Sequence, residues 1–243
     1  MGRLSFLRRT LPTWVEHTPA NILVVDYCDP DLSGEHVSRY SYDHGLGHRL
    51  SACWYPPERA FRDQGAAVFS KPMALNYGIE RITTDYTILL DADTIVHDGF
   101  WARWSPEAAR DGFVVVSPTV QHRSLSGLLT VPTQALRSIE GFDSSMLGWG
   151  CEDMDVRLRL ALAAGLPYRL VDPVGVEALE HDDHLRVRYY REKDLVASNS
   201  ANFERMVNNI MRSMGWTEQQ LLQACEEREI SQLMWARGRH EDT

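Results

Sequence analysis

The sequence predicts an α/β fold built on a mainly parallel sheet with helices over both faces, and three observations carry that prediction. Runs such as NILVVD (21–26), YTILL (86–90) and GFVVV (112–116) are apolar at consecutive positions, the pattern of strands buried on both faces. Segments of helical period lie between them. Two of the strand segments end in aspartates, Asp26 and Asp93, at the carboxyl edge where sheets of this kind bind ligands.

The elements follow in order from local chemistry. NILVVDY is a β-branched strand, and CDPDLSG after it is rich in turn formers. GEHVSRYSYD reads as a polar helix, and ACWY as a short strand stopped by Pro56 and Pro57. SKPMALNYGIERI reads as a helix with Ser70 at the N-cap, Pro72 in the first turn and an apolar side made by Met73, Ala74, Tyr77, Gly78 and Ile79. YTILLDAD is the next buried strand, GFWARWSPEAAR a helix interrupted by Pro106, and GFVVVSP another strand. In the second half GLLTVPTQAL predicts a strand leading into a short helix, and GFDSSMLGWG a glycine-rich loop. CEDMDVRLRLALAAG predicts a helix stopped at Gly165, with Pro167 beyond. YRLVD gives a short strand, and EHDDHLRVRYYREKD is dense in charge and tyrosine. ANFERMVNNIMRSMG and TEQQLLQACEEREISQLMWARG predict two closing helices, the second opened by a capping box of Thr217 and Gln220.

At 243 residues, 44% hydrophobic and 24% charged, the composition is that of an ordinary globular protein. A net charge of −9 argues against nucleic acid or an anionic membrane as partner, since both demand surplus Lys and Arg. If the protein handles phosphates it therefore needs a cation. Cys28, Cys53, Cys151 and Cys225 lie far apart with no CxxC pair, which points to a reducing compartment and hence a cytoplasmic location. No stretch approaches ~18 uninterrupted apolar residues, so no transmembrane segment or signal peptide is expected.

Three Asp-x-Asp spacings occur: Asp29/Asp31, Asp91/Asp93 and Asp153/Asp155. The first belongs to a turn, where Asp serves local hydrogen bonding. The second ends the most apolar strand, at the ligand-binding edge; two anions there repel and lose hydration unless a cation such as Mn²⁺ or Mg²⁺ neutralises them. Capping of the following turn is the plainer alternative. Asp153 and Asp155 sit at a helix start, where acids are favoured by the dipole whatever the function. The preceding GWGCED changes their reading: two glycines flank Trp149, as in a backbone that passes close to a ligand and offers an indole to the flat face of a sugar.

SKPMALNYGIERITTDYTILLDADTIV, followed by GLLTVPTQALRSIEGFDSSMLGWGCEDMDVRLRL, resembles the GT-A glycosyltransferases, and within them family-2-like enzymes sharing the Trp-Gly-x-Glu-Asp motif of the β-galactosyltransferases. The likeness covers about residues 3 to 181. It implies a Rossmann-like GT-A catalytic domain over 1–197, with a nucleotide-sugar half (1–118) and an acceptor half (119–197), and a helical extension over 198–243. It also implies a UDP-sugar donor, a carbohydrate or other hydroxyl acceptor, a hexose or N-acetylhexosamine as the group moved, and Mn²⁺ (or Mg²⁺) as cofactor.

Residue by residue, the resemblance makes Asp93 a metal ligand with Asp91 beside the donor, and Asp153 the catalytic base. Glu152 and Trp149 become acceptor-binding residues. Asp26, Lys71 and Asn76 fall on the donor side. His181, twenty-eight residues after Asp153, completes the metal site; His184 is its neighbour in EHDDH, and Ala178 stands where the galactosyltransferases place a methionine ligand. An aspartate at 153, where retaining relatives carry an amide, implies inversion. Loop 182 to 200 is expected to act as a lid. Relatives begin with a strand before the segment resembling MGRLSFLRRTLP, so either the chain's start lies further upstream or another segment replaces that strand. A nucleotidyltransferase would want a glycine-rich phosphate loop near the start, which the sequence lacks; a non-catalytic sugar- or nucleotide-binding module is the second rival. The apolar side of the last helix, with Leu222, Cys225, Leu233 and Met234, packs on the domain or on a second copy as a homodimer.

Overall fold

The computed structural model describes residues 1–63, 66–117 and 124–227. It opens with helix α1 (Leu4–His17), which the sequence reading did not foresee because Arg8, Arg9 and Pro12 break up the segment. Those arginines face solvent, while Leu7, Leu11 and Trp14, one helical face, are buried. Then come β1 (Ile22–Asp26), α2 (Ser33–Asp43), β2 (Leu50–Trp54), the two-residue strands β3 (Arg62–Asp63) and β4 (Ala66–Ala67), and α3 (Lys71–Ile79). Ser70 caps α3 as its hydroxyl accepts from the Met73 amide. β5 (Tyr86–Leu89), β6 (Thr94–Val96), α4 (Phe100–Trp104), a 3-10 turn at Pro106–Ala109 and β7 (Phe113–Val116) follow. The second half holds β8 (Leu129–Pro132), α5 (Thr133–Ser138), α6 (Glu152–Leu162), β9 (Tyr168–Val171), β10 (Val176–Ala178), α7 (Asp183–Val187), α8 (Leu195–Met214) and α9 (Glu218–Glu227).

The α/β class is as expected, but the sheet is mixed. β1 pairs with β2 in parallel, and β7 with β9 in parallel. β8 lies between β5 and β7 and runs antiparallel to both, giving the order β5-β8-β7-β9. β6 and β10 form a separate antiparallel pair. Continuous apolar runs report burial on both faces and carry no information on direction, so GLLTVP could not reveal that its strand runs against its neighbours.

Two cores flank this framework. Phe113, Val115, Leu129 and Val131 pack with α6 and with Met206 and Ile210 of α8 on one side. Val114 and Val116 pack with α1 and α4 on the other. α8 runs across residue 198, where a separate extension was expected to begin, and its buried face belongs to the first of these cores. Segment 182–200 is not a loop, since it contains α7 and the first turns of α8. No helix among the described residues is long and apolar enough to cross a membrane. Leu222 is exposed on α9, whereas Leu233 and Met234 and the side chain of Cys225 lie outside what is described. Cys28, Cys53 and Cys151 form no disulfide.

Candidate active site

Asp91 and Asp93 sit in the turn between β5 and β6. Helix α1 grips this turn from behind: Thr10 donates to the Ala92 carbonyl at 2.9 Å, and the Trp14 indole to the Thr94 carbonyl at 2.7 Å. The β6–β10 ladder explains why a histidine so far along the chain arrives here. Ala178 pairs with Thr94, the Leu179 amide donates to the Asp93 carbonyl at 2.7 Å, and the next turn delivers His181. Its Nε2 lies 2.9 Å from Asp93 Oδ2, with the Arg3 guanidinium 4.0 Å from the same oxygen. Burial pushes the Asp93 carboxyl upward, but His181 and Arg3 outweigh it and hold the group below its usual range. His184 lies within α7, one turn further on.

Facing this turn is the start of α6. Gly148 and Gly150 adopt φ of +89° and +105°, and Cys151 follows at +67°. Left-handed backbone is what glycine supplies at no steric cost, so both glycines of GWG answer a conformational demand. The loop is held from outside its own neighbourhood. Ser198 of α8 accepts from the Trp149 amide at 2.7 Å and donates to the Trp149 carbonyl at 2.9 Å, while Asn202 donates to the Gly150 carbonyl at 2.9 Å.

Lys71, at the first turn of α3, joins the two walls. Its ammonium lies 2.9 Å from Asp153, 3.1 Å from Asp91 and 3.8 Å from Glu152. Burial alone would lower its proton affinity, but the three carboxylates outweigh that and hold it well above the usual lysine range. Asp91 is raised by burial against the opposing pull of Lys71. Burial, and then the charge of Asp153, push Glu152 up to about 7. A Cβ at Gly127 would collide with the Asp91 carboxylate, so that glycine allows the close approach.

Asp26, Lys71, Asp91, Asp93, Trp149, Glu152, Asp153 and His181 all line one cavity of about 1860 Å³. Within it Asp26 is 4% exposed and caps its own surroundings, accepting from the Asp29 and Gly34 amides at 2.8 and 2.7 Å. Asn76 is not among the residues that line it. Its side chain stitches α3 to the turn after α5, donating to the Phe142 carbonyl at 2.7 Å and accepting from the Phe142 amide at 2.8 Å. Its amide is thus already engaged, and it buttresses the fold. Asp155 likewise turns inward, fully buried, and pairs with Arg159. Asp29 serves its turn, accepting from the Gly2 and Asp31 amides at 2.7 and 3.2 Å.

Several site residues escaped the sequence reading. Ser126 lies 3.4 Å from Asp153, and Arg157 and Tyr190 line the cavity. Arg157 was accessible in principle, since it stands four residues after Asp153 and so on the same helical face. Ser198 and Asn202 carried no signal, because their task depends on a helix docking some fifty residues from the loop it holds.

A mixed sheet between helices, with two acidic turns converging on one cleft, defines the GT-A class of glycosyltransferase folds. Residues 3–154 match the family described as glycosyl transferase family 2, and the chain belongs to that family. No curated protein matches it at the level of whole-sequence similarity. Among solved structures it is similar to TarS 1-349 of S. aureus in complex with UDP-GlcNAc, with a TM-score of 0.63, 11% identity, and coverage of 86% of this chain and 64% of that one. It is also similar to the mannosyltransferase PcManGT of Pyrobaculum calidifontis in complex with GDP-Man and Mn²⁺ (0.57, 15%, 86% and 65%). A third is GalNAc-T7 with UDP, GalNAc and Mn²⁺ (0.56, 14%, 95% and 53%). At these identities the likeness shows the fold, and the chain spans between 53% and 65% of the length of these proteins.

Proposed function

We propose that this chain transfers a hexosyl unit from a UDP-sugar to an acceptor hydroxyl, with inversion at the anomeric carbon and Asp153 as the base. One observation carries the reading: the Asp93–His181 pair and the Lys71-bridged Asp91, Glu152 and Asp153 line a single cavity. Two of the three similar structures hold UDP or a UDP-sugar and two hold Mn²⁺, which is in keeping with it.

Asp93 and His181 present a carboxylate oxygen and an imidazole nitrogen to the same point, a donor pair that fits Mn²⁺ or Mg²⁺ supplemented by phosphate oxygens and water. Among the described residues no third acidic, histidine or cysteine ligand joins them. When bound, the ion offsets charge building on the departing diphosphate. Asp153, at the positive end of α6, takes the acceptor proton. Lys71, 2.9 Å away, holds that carboxylate in place until the substrates enter. Trp149 offers its ring to the acceptor sugar, and Glu152 accepts from a hydroxyl beside the reacting one.

The test is Mn²⁺-dependent UDP release across a donor panel, with Asp153→Asn in parallel. The variant is expected to lose ~10²–10⁴-fold in turnover, the range of general-base catalysis, while still binding UDP. Unchanged turnover removes Asp153 as base, and UDP binding without turnover in the unaltered protein converts the assignment to a binding module.

A further inference from the structure

Arg157 is a charged residue of α6 that neither the proposed mechanism nor an ion pair among the described residues uses. It stands one turn beyond Asp153, is 2% exposed and lines the same cavity. Its Nη2 is buried with no hydrogen-bond partner among the described residues, which also offer its guanidinium no ion pair. Its natural i,i+4 partner, Asp153, is taken by Lys71 at 2.9 Å. Glu152 shows the complementary defect, since Oε2 is buried and lacks a partner.

Arg159, two residues on and on the opposite face, shows what a structural buried arginine looks like here. It holds Asp155 through Nε at 2.8 Å and the Gly141 carbonyl at 2.7 Å. A buried guanidinium left without such partners is strongly unfavourable; the nearby carboxylates of Asp153, Asp91 and Glu152 make no ion pair with it among the described residues, so an acceptor group bonded directly to the fork is the missing component.

Position identifies which group. The carboxylates acting on Arg157 are Asp153, Asp91 and Glu152. Asp93 and His181, beside which the diphosphate is proposed to bind, stand on the turns after β5 and β10, whereas Arg157 stands on α6. Trp149, proposed to meet the acceptor, precedes α6, whereas Arg157 lies about 6 Å beyond Asp153 by helical rise. Arg157 therefore addresses the transferred sugar. The anionic group that a nucleotide-linked hexose carries on its ring is a carboxylate.

We propose that Arg157 recognises the carboxylate of a hexuronosyl donor, so that the donor class is a nucleotide-linked hexuronate. The planar fork of arginine binds a carboxylate through two parallel hydrogen bonds. This deepens the reading of the cavity as a UDP-sugar site and rests on it.

The experiment measures calorimetric binding and UDP release by hydrolysis, with Mn²⁺ present, for UDP-glucuronate and UDP-galacturonate against UDP-glucose and UDP-galactose. At least a tenfold preference for one of the hexuronates is expected. Arg157→Gln should abolish that preference and leave the affinity for UDP itself within twofold, while Arg157→Lys, charged but without the fork, should recover part of it. A preference for a neutral donor, or an equal loss for both kinds of donor in Arg157→Gln, overturns the proposal and leaves Arg157 as a counter-charge to the acidic cluster. Selectivity that appears only with a uronate acceptor also overturns it. Should Arg157→Gln fail to fold, the donor preference of the unaltered protein decides alone. Neutral donors turned over while hexuronates are refused would sink this inference but not the glycosyltransferase reading; refusal of every UDP-sugar would sink both.

Discussion

The two walls of the cavity are built in opposite ways. The strand-end wall, carrying Asp91 and Asp93, is fixed largely through main chain: the β6–β10 ladder, the Leu179 amide on the Asp93 carbonyl, and two α1 side chains bonded to carbonyls of residues 92 and 94. The helix-start wall, carrying Glu152 and Asp153, follows three residues with φ above +60° and is kept in place by individual side chains of α8. Backbone ladders tolerate substitution because every residue type supplies the same groups. A strained loop pinned by two side chains does not. The strand-end wall should therefore resist single substitutions outside Asp91 and Asp93, whereas the helix-start wall should give way to them.

Lys71 spans both walls, so its loss is the most severe way to break the contrast. Lys71→Met leaves the buried Glu152 and the partly buried Asp91 and Asp153 without their shared cation; removal of one partner from a buried ion pair costs about 3–5 kcal/mol, an upper figure here because solvent reaches Asp91. Urea denaturation without metal should show this as a lowered midpoint. A change under about 1 kcal/mol would mean that the walls are not coupled through this ammonium.

Glu152 offers a pH-resolved version. Its carboxyl rises from 4.5 to about 7 on folding, by burial first and then by the Asp153 charge. Between those values the folded state binds more protons than the unfolded one, so stability falls as pH rises, by on the order of 1 kcal/mol per pH unit at most. Below 4.5 the group is protonated in both states and contributes no slope. Glu152→Gln should thus melt like the parent at pH 4 and above it at pH 8. A difference that does not vary with pH would show that the carboxyl is not held in its neutral form.

Asn202 and Asn76 make the contrast sharper still, because both are buttressing amides bonded to main chain. Replacing either by Ala orphans buried partners at about 1–3 kcal/mol. Only Asn202→Ala loosens the loop ahead of Asp153, so under the proposed function it should depress kcat while Asn76→Ala leaves kcat within twofold. Equal kinetic effects would erase the distinction between the walls.

What the sequence disclosed follows the same division. Asp91 and Asp93 were legible because a buried strand with charge at its tip is a local pattern, and Glu152 and Asp153 because a helix start follows GWG. His181 came only by resemblance; the ladder of β10 on β6 that delivers it is a long-range pairing without local signature. Asn76 looked like a ligand because its Lys-Pro-x-Ala-x-Asn-x-Gly setting fixes the residue and not its direction. Helix α1 was obscured by charges that turn out to cover its solvent face. The direction of β8 and the grip of α8 on the Gly-Trp-Gly loop are tertiary facts, which neither period nor composition encodes.

The gentlest probe lies at the rim of the helix-start wall. Arg186 of α7 sits over the Trp149 ring, 5.3 Å from its centroid, and is tethered by Asp183 at 3.1 Å. Such a contact at a partly exposed site is worth roughly 0.5–1 kcal/mol. Arg186→Ala should barely move the melting temperature, since neither group belongs to the core. Its effect belongs to the indole: without the guanidinium above it Trp149 samples more orientations, and a sugar that stacks on it must restore the lost order. The acceptor KM should rise about two- to fivefold, the same free energy expressed as affinity, with the donor KM unchanged. A shift in the donor KM instead would place α7 on the nucleotide side and move the boundary between the two walls to the far side of Trp149.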